Sequence, residues 1–274
     1  MIKKVVVAAA GQGTRMLHFS DNKSKHLICV QHRPFLFYLL NNLITAGYTD
    51  IILVVGFKKE LMAEFIENYL QSVETSGLNK SELKIQTIDQ HEILGPKEKE
   101  YGTACPIKCV KNLIGKENFI YVYGDNLFSV KDLKSMNIDD KFCYIAGLEQ
   151  EHPEKYGVLI ESLGAAQDKK DGQDFLEKII EKPKEFAGNL INAGLYKFTP
   201  EVFDKISQIK KSSRGEYEIT DVISLLAKEK KVKIKKIKDY WHDFGNPGDI
   251  EKLSKFLENE NCKYQKQKSN EAGN

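Results

Sequence analysis

Up to Asp125, continuous apolar runs alternate with segments of helical spacing. Val5-Val6-Val7-Ala8-Ala9 has no polar interruption and ends in a glycine turn at Gly11, the pattern of a strand buried on both faces of a parallel sheet. Pro34 then opens a helix with Phe35, Leu36, Leu39, Leu40, Leu43 and Ile44 on its apolar stripe, and Gly47 closes it. Ile51–Val55 is the second strand, and 58–70 a crossover helix carrying Leu61, Phe65, Ile66 and Tyr69. A strand near 83–88, a helix from Thr103 to about Ile114 and a strand at 119–123 continue the rhythm. Repeated strand–helix–strand units predict an α/β fold, a mainly parallel sheet with helices on both faces.

After Asp125 the rhythm changes. Segments 142–148, 157–160, 175–180 and 190–198 read as strands with few helices between them, and the polar, Gly- and Asp-containing stretch 162–174 as a hairpin loop. Two helices are expected from about Pro200 and from Glu216, then an alternating strand at 232–237 and a last helix from about Pro247 to Leu257. Residues 258–274 are polar and lack periodicity, so they read as a frayed tail. Residues 1–257 thus read as one α/β body, with a nucleotide-type half to about 128 and a substrate-type half from about 129.

Composition narrows the function. Lys plus Arg is 41 and Asp plus Glu 39, a net charge of +2, which argues against a dedicated nucleic-acid binder. No apolar run approaches the ~20 residues that span a bilayer, so no membrane partner is expected. Cys29, Cys105, Cys109, Cys143 and Cys262 are odd in number and scattered, which excludes a disulfide framework and fits a reducing, cytoplasmic setting. Cys105 and Cys109 lack a second pair at metal-binding spacing and read as buried thiols. The start Met1-Ile2-Lys3-Lys4 leads into a strand that meets Gly11 and Arg15, not into a secretion signal.

The chemistry-bearing stretch is Gly11-Gln12-Gly13-Thr14-Arg15, directly after the first strand. Glycines let backbone N–H groups approach an anion, and the arginine adds a charge suited to phosphate. A dinucleotide fingerprint needs a third glycine where Met16 stands and an acid after the second strand, where Val55-Gly56-Phe57 offers none. No Gly-Lys-Ser/Thr follows, which excludes a Walker loop.

Together with Ser24-Lys25, Gly102-Thr103-Ala104, Tyr123-Gly124-Asp125-Asn126, Glu181-Lys182-Pro183, Asn192-Ala193-Gly194-Leu195-Tyr196 and Trp241-x-Asp243-x-Gly245, this loop makes the chain resemble the sugar-1-phosphate nucleotidyltransferases. The resemblance covers roughly residues 2–257. It implies a Rossmann-like, glycosyltransferase-A-like sheet, mainly parallel or mixed. It also implies Mg²⁺-dependent transfer of a nucleotidyl group from an NTP (UTP before dTTP) to a sugar 1-phosphate, glucose 1-phosphate favoured, with release of pyrophosphate. Such a site needs cations and alignment rather than a nucleophilic triad, since the attacking phosphate is already ionised.

By the same resemblance Arg15 and Lys25 contact phosphates, and Asp125 and Asp243 hold Mg²⁺. Ala10, Gly11, Gly13, Thr14, Arg15, Gly102 and Gln90 (Gln86 as the alternative base reader) line the nucleotide side. Gly157, Glu181, Lys182, Asn192 and Arg214 take the sugar phosphate. Read without the resemblance, Asp125 is equally a turn aspartate, Asp243 a helix-entry residue, and each lysine or arginine a surface charge. Ala10 stands where the family often has a glycine, Met16-Leu17-His18-Phe19 lacks a frequent proline, and Cys29 replaces another. A catalytically silent, nucleotide-sugar-binding regulator is the second reading, and a nicotinamide oxidoreductase is disfavoured by the missing fingerprint. The oligomeric state, homo-oligomer included, is left open.

Overall fold

The computed structural model describes residues 1–11, 13–75, 82–162 and 174–260. β1 (Lys4–Ala9) is followed by two 3₁₀ turns at Thr14–Ser20 and Lys25–Leu27 and a small hairpin, β2 (Cys29–Val30) and β3 (Arg33–Pro34). Next come α1 (Phe35–Thr45), β4 (Asp50–Val55), α2 (Lys59–Thr75), β5 (Lys84–Asp89), α3 (Gln90–Leu94), α4 (Cys105–Ile114) and β6 (Phe119–Tyr123). The chain continues through β7 (Asn126–Phe128), α5 (Val130–Ser135), β8 (Cys143–Glu149), β9 (Gly157–Glu161), β10 (Leu176–Glu181) and β11 (Leu190–Phe198). It closes with α6 (Val202–Ile206), α7 (Ile219–Lys228), β12 (Val232–Lys236), β13 (Trp241–Asp243) and α8 (Pro247–Glu260).

The central sheet runs β10-β9-β11-β6-β1-β4-β5, with β8 on β11 and β12 on β8. The strands expected from continuous apolar runs pair parallel: β1 with β4 and β6, and β4 with β5. Beyond β6 the sheet turns antiparallel, since β11 runs against β6, β8 and β9. The fold is therefore a mixed sheet with helices on both faces. The hairpin expected around 162–174 has its base in the antiparallel β9–β10 pair, closed by the Ser162 N–H on the Phe175 carbonyl at 2.8 Å, while 163–173 lie outside the described residues.

Alternation along β1 explains the two-layered core. Val5, Val7 and Ala9 join Met62, Leu133 and Leu253 from α2, α5 and α8 and the nearly all-buried α1, whereas Val6 joins α4, α6 and α7 on the other face. Burying such an apolar side chain contributes about 1.5–3 kcal/mol. Cys105 and Cys109 sit buried as free thiols on α4, and burial pushes the first up to about 11 and the second to about 12. Cys262 lies outside the described residues.

Several elements differ from the sequence expectation. α3 forms at the start of what reads as a long loop, because Asp89 caps it by accepting the His91 N–H at 2.8 Å. α5 and the β7–β13 ribbon are too short to carry a period. α8 runs on to Glu260, so residues 258–260 are helical rather than part of a tail, and 261–274 lie outside the described residues. Among the described residues, no helix is long and apolar enough to cross a membrane.

Candidate active site

Parallel pairing puts the carboxyl ends of β1, β4, β5 and β6 on one edge of the sheet, where open α/β folds bind ligands. β1 runs into buried Ala10 and the open loop at Gly11, and Gln12 lies outside the described residues. Gly13 has φ 70°, and a Cβ there would stand 2.8 Å from Lys25 Cβ, so only glycine lets this turn lie flat on the Lys25 stem. Its carbonyl accepts from the Met16 N–H (2.8 Å) and the Ser20 hydroxyl (2.9 Å), which starts the Thr14–Ser20 turn with exposed Thr14 and Arg15 leading. β6 runs into Gly124, whose N–H bonds the Ala8 carbonyl at 2.9 Å, and then into Asp125.

Buried Lys25 forms an ion pair with Asp125. Burial opposes charge on Asp125, but the Lys25 ammonium and its hydrogen bond hold the carboxyl below the usual carboxylate range. His26 beside them is buried, with Nδ1 2.7 Å from the Ser24 hydroxyl; burial and the Lys25 charge lower its pKa to about 3, so the ring is neutral.

Asp243 arrives from the other end of the chain. β13 pairs antiparallel with β7, setting Asp243 opposite Asn126, and the Phe244 N–H bonds the Asp125 carbonyl at 2.8 Å. Trp241 fixes the ribbon by donating its indole N–H to the Ala193 carbonyl at 3.1 Å and packing edge-on against Tyr156. A Cβ built on Gly245 would lie 3.4 and 3.7 Å from the Asp243 carboxylate oxygens and 3.7 Å from Arg15 Nη2. One neighbourhood therefore holds both side chains. Burial first, then the negative charge of Asp125, push the Asp243 carboxyl up to about 6, against the pull of Lys25 and the weaker pull of Arg15. Among the described residues no cluster of three or more His, Cys, Asp or Glu offers a metal site, so a cation here would rest on this carboxylate pair and on ligand oxygens.

Of the residues expected on the nucleotide side, Gln90 opens α3 at the end of β5, buried, with no hydrogen-bond partner for its Oε1 among the described residues. Gln86 sits in mid-strand opposite Ile52, away from the edge. Gly102 lies against the Tyr217 backbone, where the Ala104 N–H bonds the Tyr217 carbonyl at 2.9 Å.

Of the residues expected to take the sugar phosphate, register places Glu181 opposite Gly157, with Glu181 Oε2 3.0 Å from where a Gly157 Cβ would stand. Burial of its carboxyl end raises the Glu181 pKa, partly offset by Arg214. Lys182 is exposed at φ 43°, its N–H on the Tyr156 carbonyl at 3.0 Å. Asn192 is half-buried on β11. Arg214 is engaged already: Nε and Nη2 donate to the two Glu218 carboxylate oxygens at 3.1 and 2.6 Å. The structure thus gathers Arg15, Lys25, Asp125 and Asp243 tightly, sets Glu181 against Gly157, and turns Arg214 toward a carboxylate.

The sequence reading quoted Tyr123 and Asn126 within a motif but gave them no role, and it passed over Asp132 and Glu218. A signal existed for Tyr123, since Phe119, Tyr121 and Tyr123 alternate along β6. Asp132 had none: its buried carboxylate accepts the Lys238 and Asp239 N–H groups at 3.2 and 3.0 Å and so anchors the lead-in to β13.

The nucleotidyl transferase family model matches residues 4–260. The chain belongs to that family. Among its relatives is the Methanocaldococcus jannaschii bifunctional protein GlmU, 31% identical over 92% of this chain and 53% of that protein. The chain spans about half the length of the first of these curated relatives. It also resembles the Haloferax volcanii UTP–glucose-1-phosphate uridylyltransferase AglF, 29% identical over 94% of this chain and 97% of that one. In fold it is similar to a UDP-glucose pyrophosphorylase solved with UDP-glucose, with a TM-score of 0.79, 23% identity, and 95% and 100% of the two chains covered.

Proposed function

We propose that the chain transfers a nucleotidyl group from an NTP, UTP before dTTP, to a sugar 1-phosphate, glucose 1-phosphate before others. The observation that carries this reading is the meeting of Arg15, Lys25, Asp125 and Asp243 at the carboxyl edge of β1 and β6. A phosphate oxygen of the sugar attacks the α-phosphorus, one P–O bond forms, the bond to the β-phosphate oxygen breaks, and pyrophosphate departs with the charge. No proton transfer is needed; the barrier is repulsion between anions, which favours positive groups and alignment over a general base.

Each residue then has a task. Arg15, exposed at the head of its turn, meets the departing pyrophosphate, and Lys25 faces the phosphate that reacts. Lys182 holds the sugar phosphate, and Glu181, beside glycine at position 157, accepts from sugar hydroxyls. Gln90 offers its unpartnered carboxamide oxygen to the N–H of a pyrimidine ring edge, with Gly11, Gly13 and Gly102 supplying backbone close to the nucleotide. Asp125 and Asp243 fit a hard divalent cation, Mg²⁺ by donor chemistry, because two carboxylates that repel each other in a half-buried site are relieved by one. When bound, that ion supplies positive charge to the triphosphate oxygens.

Relatives named for UTP and glucose 1-phosphate support the substrate choice. A pyrophosphate-release assay over UTP, dTTP, ATP, CTP and GTP with a panel of sugar 1-phosphates tests it. The reading expects turnover with a pyrimidine triphosphate and a hexose 1-phosphate. Nucleotide-sugar binding without turnover for any pair would overturn it in favour of a regulator.

A further inference from the structure

Tyr123 on β6 and Tyr196 on the neighbouring β11 join hydroxyls beside Asn192. Asn192 Nδ2 donates to the Tyr196 hydroxyl at 2.8 Å, and the Tyr196 hydroxyl donates to the Tyr123 hydroxyl at 3.1 Å. Asn192 Oδ1 meanwhile accepts the Gly194 N–H at 3.1 Å. Tyr123 is held from both sides. Gly194, at φ 79°, presses so close that a Cβ there would come within 2.6 Å of the Tyr123 ring. The Tyr121 ring, 5.9 Å from that of Tyr123, is itself tied by its hydroxyl to the Thr103 carbonyl at 2.6 Å.

A carboxamide has an accepting end and a donating end, and its neighbours decide which points where. With Tyr123 present, the Tyr196 hydroxyl spends its proton on Tyr123 and has lone pairs left for Asn192, so the amide nitrogen must face Tyr196 and the oxygen must face the Gly194 N–H. Without the Tyr123 hydroxyl, the Asn192 oxygen is the acceptor left to the buried Tyr196 donor among its hydrogen-bond partners in the described residues, which would flip the amide and abandon Gly194. We propose that Tyr123 is a positioning residue for the sugar side, whose hydroxyl, acting through Tyr196, fixes the amide orientation of Asn192. In that orientation one Nδ2 hydrogen and one Oδ1 lone pair remain for sugar hydroxyls.

This rests on the reading of the site as one that holds a nucleotide sugar, and the test separates the two. Affinities of wild type and Tyr123→Phe are measured for UDP and UDP-glucose, and for dTDP and dTDP-glucose, without any turnover. The sugar gain is the ratio of the two affinities in the tighter-binding pair. In Tyr123→Phe the sugar gain is expected to fall about tenfold, the order expected for one lost polar contact, while affinity for the bare diphosphate and the melting temperature stay near wild type. Asn192→Ala is expected to lose the gain to a similar extent, and the double variant no more than either single, because both act through one amide. A sugar gain unchanged in Tyr123→Phe, or losses that simply multiply in the double variant, would overturn the inference while leaving the nucleotide-sugar reading intact. Wild type that binds none of the four ligands would sink both.

Discussion

The two aspartates reach the cleft by different routes. Asp125 is placed locally: it stands two residues past the end of β6, and the Gly124 N–H fastens that turn to β1. Asp243 is placed at long range by a ribbon of two three-residue strands, itself secured by Trp241 on the Ala193 carbonyl and by Asp132 on the chain entering β13. The first route rests on the largely buried parallel strands β1 and β6, the second on a few named hydrogen bonds. Weakening those bonds should therefore disturb Asp243 while leaving the nucleotide loop in place.

The largest effect is expected at Asp132. Asp132→Ala leaves two backbone donors without their carboxylate, a loss of about 2–4 kcal/mol in urea unfolding, together with reduced turnover and unchanged UTP affinity. An equal loss of UTP affinity would break the distinction between the routes. Lys182→Ala comes next, raising the KM for sugar 1-phosphate about tenfold with the NTP KM unchanged; equal shifts in both would remove Lys182 from the sugar side. Trp241→Phe keeps an aromatic ring but removes the indole N–H and part of the packed bicycle, so a cost of about 1–2 kcal/mol and a severalfold fall in kcat are expected.

The smallest effect concerns Arg214. Burial opposes charge on Glu218, but Arg214 holds its pKa below the ordinary value, so the stability that this pair contributes is present above the ordinary carboxylate pKa and is lost as pH falls through the lowered one. Because Arg214 is half exposed, Arg214→Met should cost no more than about 1 kcal/mol at neutral pH. Unfolding at acid pH should close that gap; a gap that persists would mean the side chain packs rather than pairs.

The same contrast explains what the sequence reveals. β1, β4 and β6 are uninterrupted apolar runs, and the turns that follow them carry Gly11, Gly13, Arg15 and Asp125, so strand, edge and anion loop can be read together. Segment 190–198 is equally legible as a strand, but its antiparallel place beside β6 is not, since apolar pattern reports burial and not partner. Asn126–Phe128 and Trp241–Asp243 are too short for any period, and their pairing spans more than a hundred residues. The meeting of Asp125 with Asp243 was therefore accessible only through the resemblance. Gln90 was named, with Gln86 as the alternative, only through the resemblance, and it is buried where the Asp89 cap starts α3. The engagement of Arg214 by Glu218 is a four-residue spacing that precedes α7 and carries no helical cue.

The central claim is that both carboxylates serve one cation in one cleft. A Mg²⁺ titration of pyrophosphate release in wild type, Asp125→Asn and Asp243→Asn tests it most directly. Both variants are expected to need at least about tenfold more Mg²⁺ for half-maximal rate and to turn over far more slowly at saturation. Wild-type rates from Asp243→Asn at limiting Mg²⁺, with only Asp125→Asn impaired, would contradict the claim and leave the ribbon a packing element.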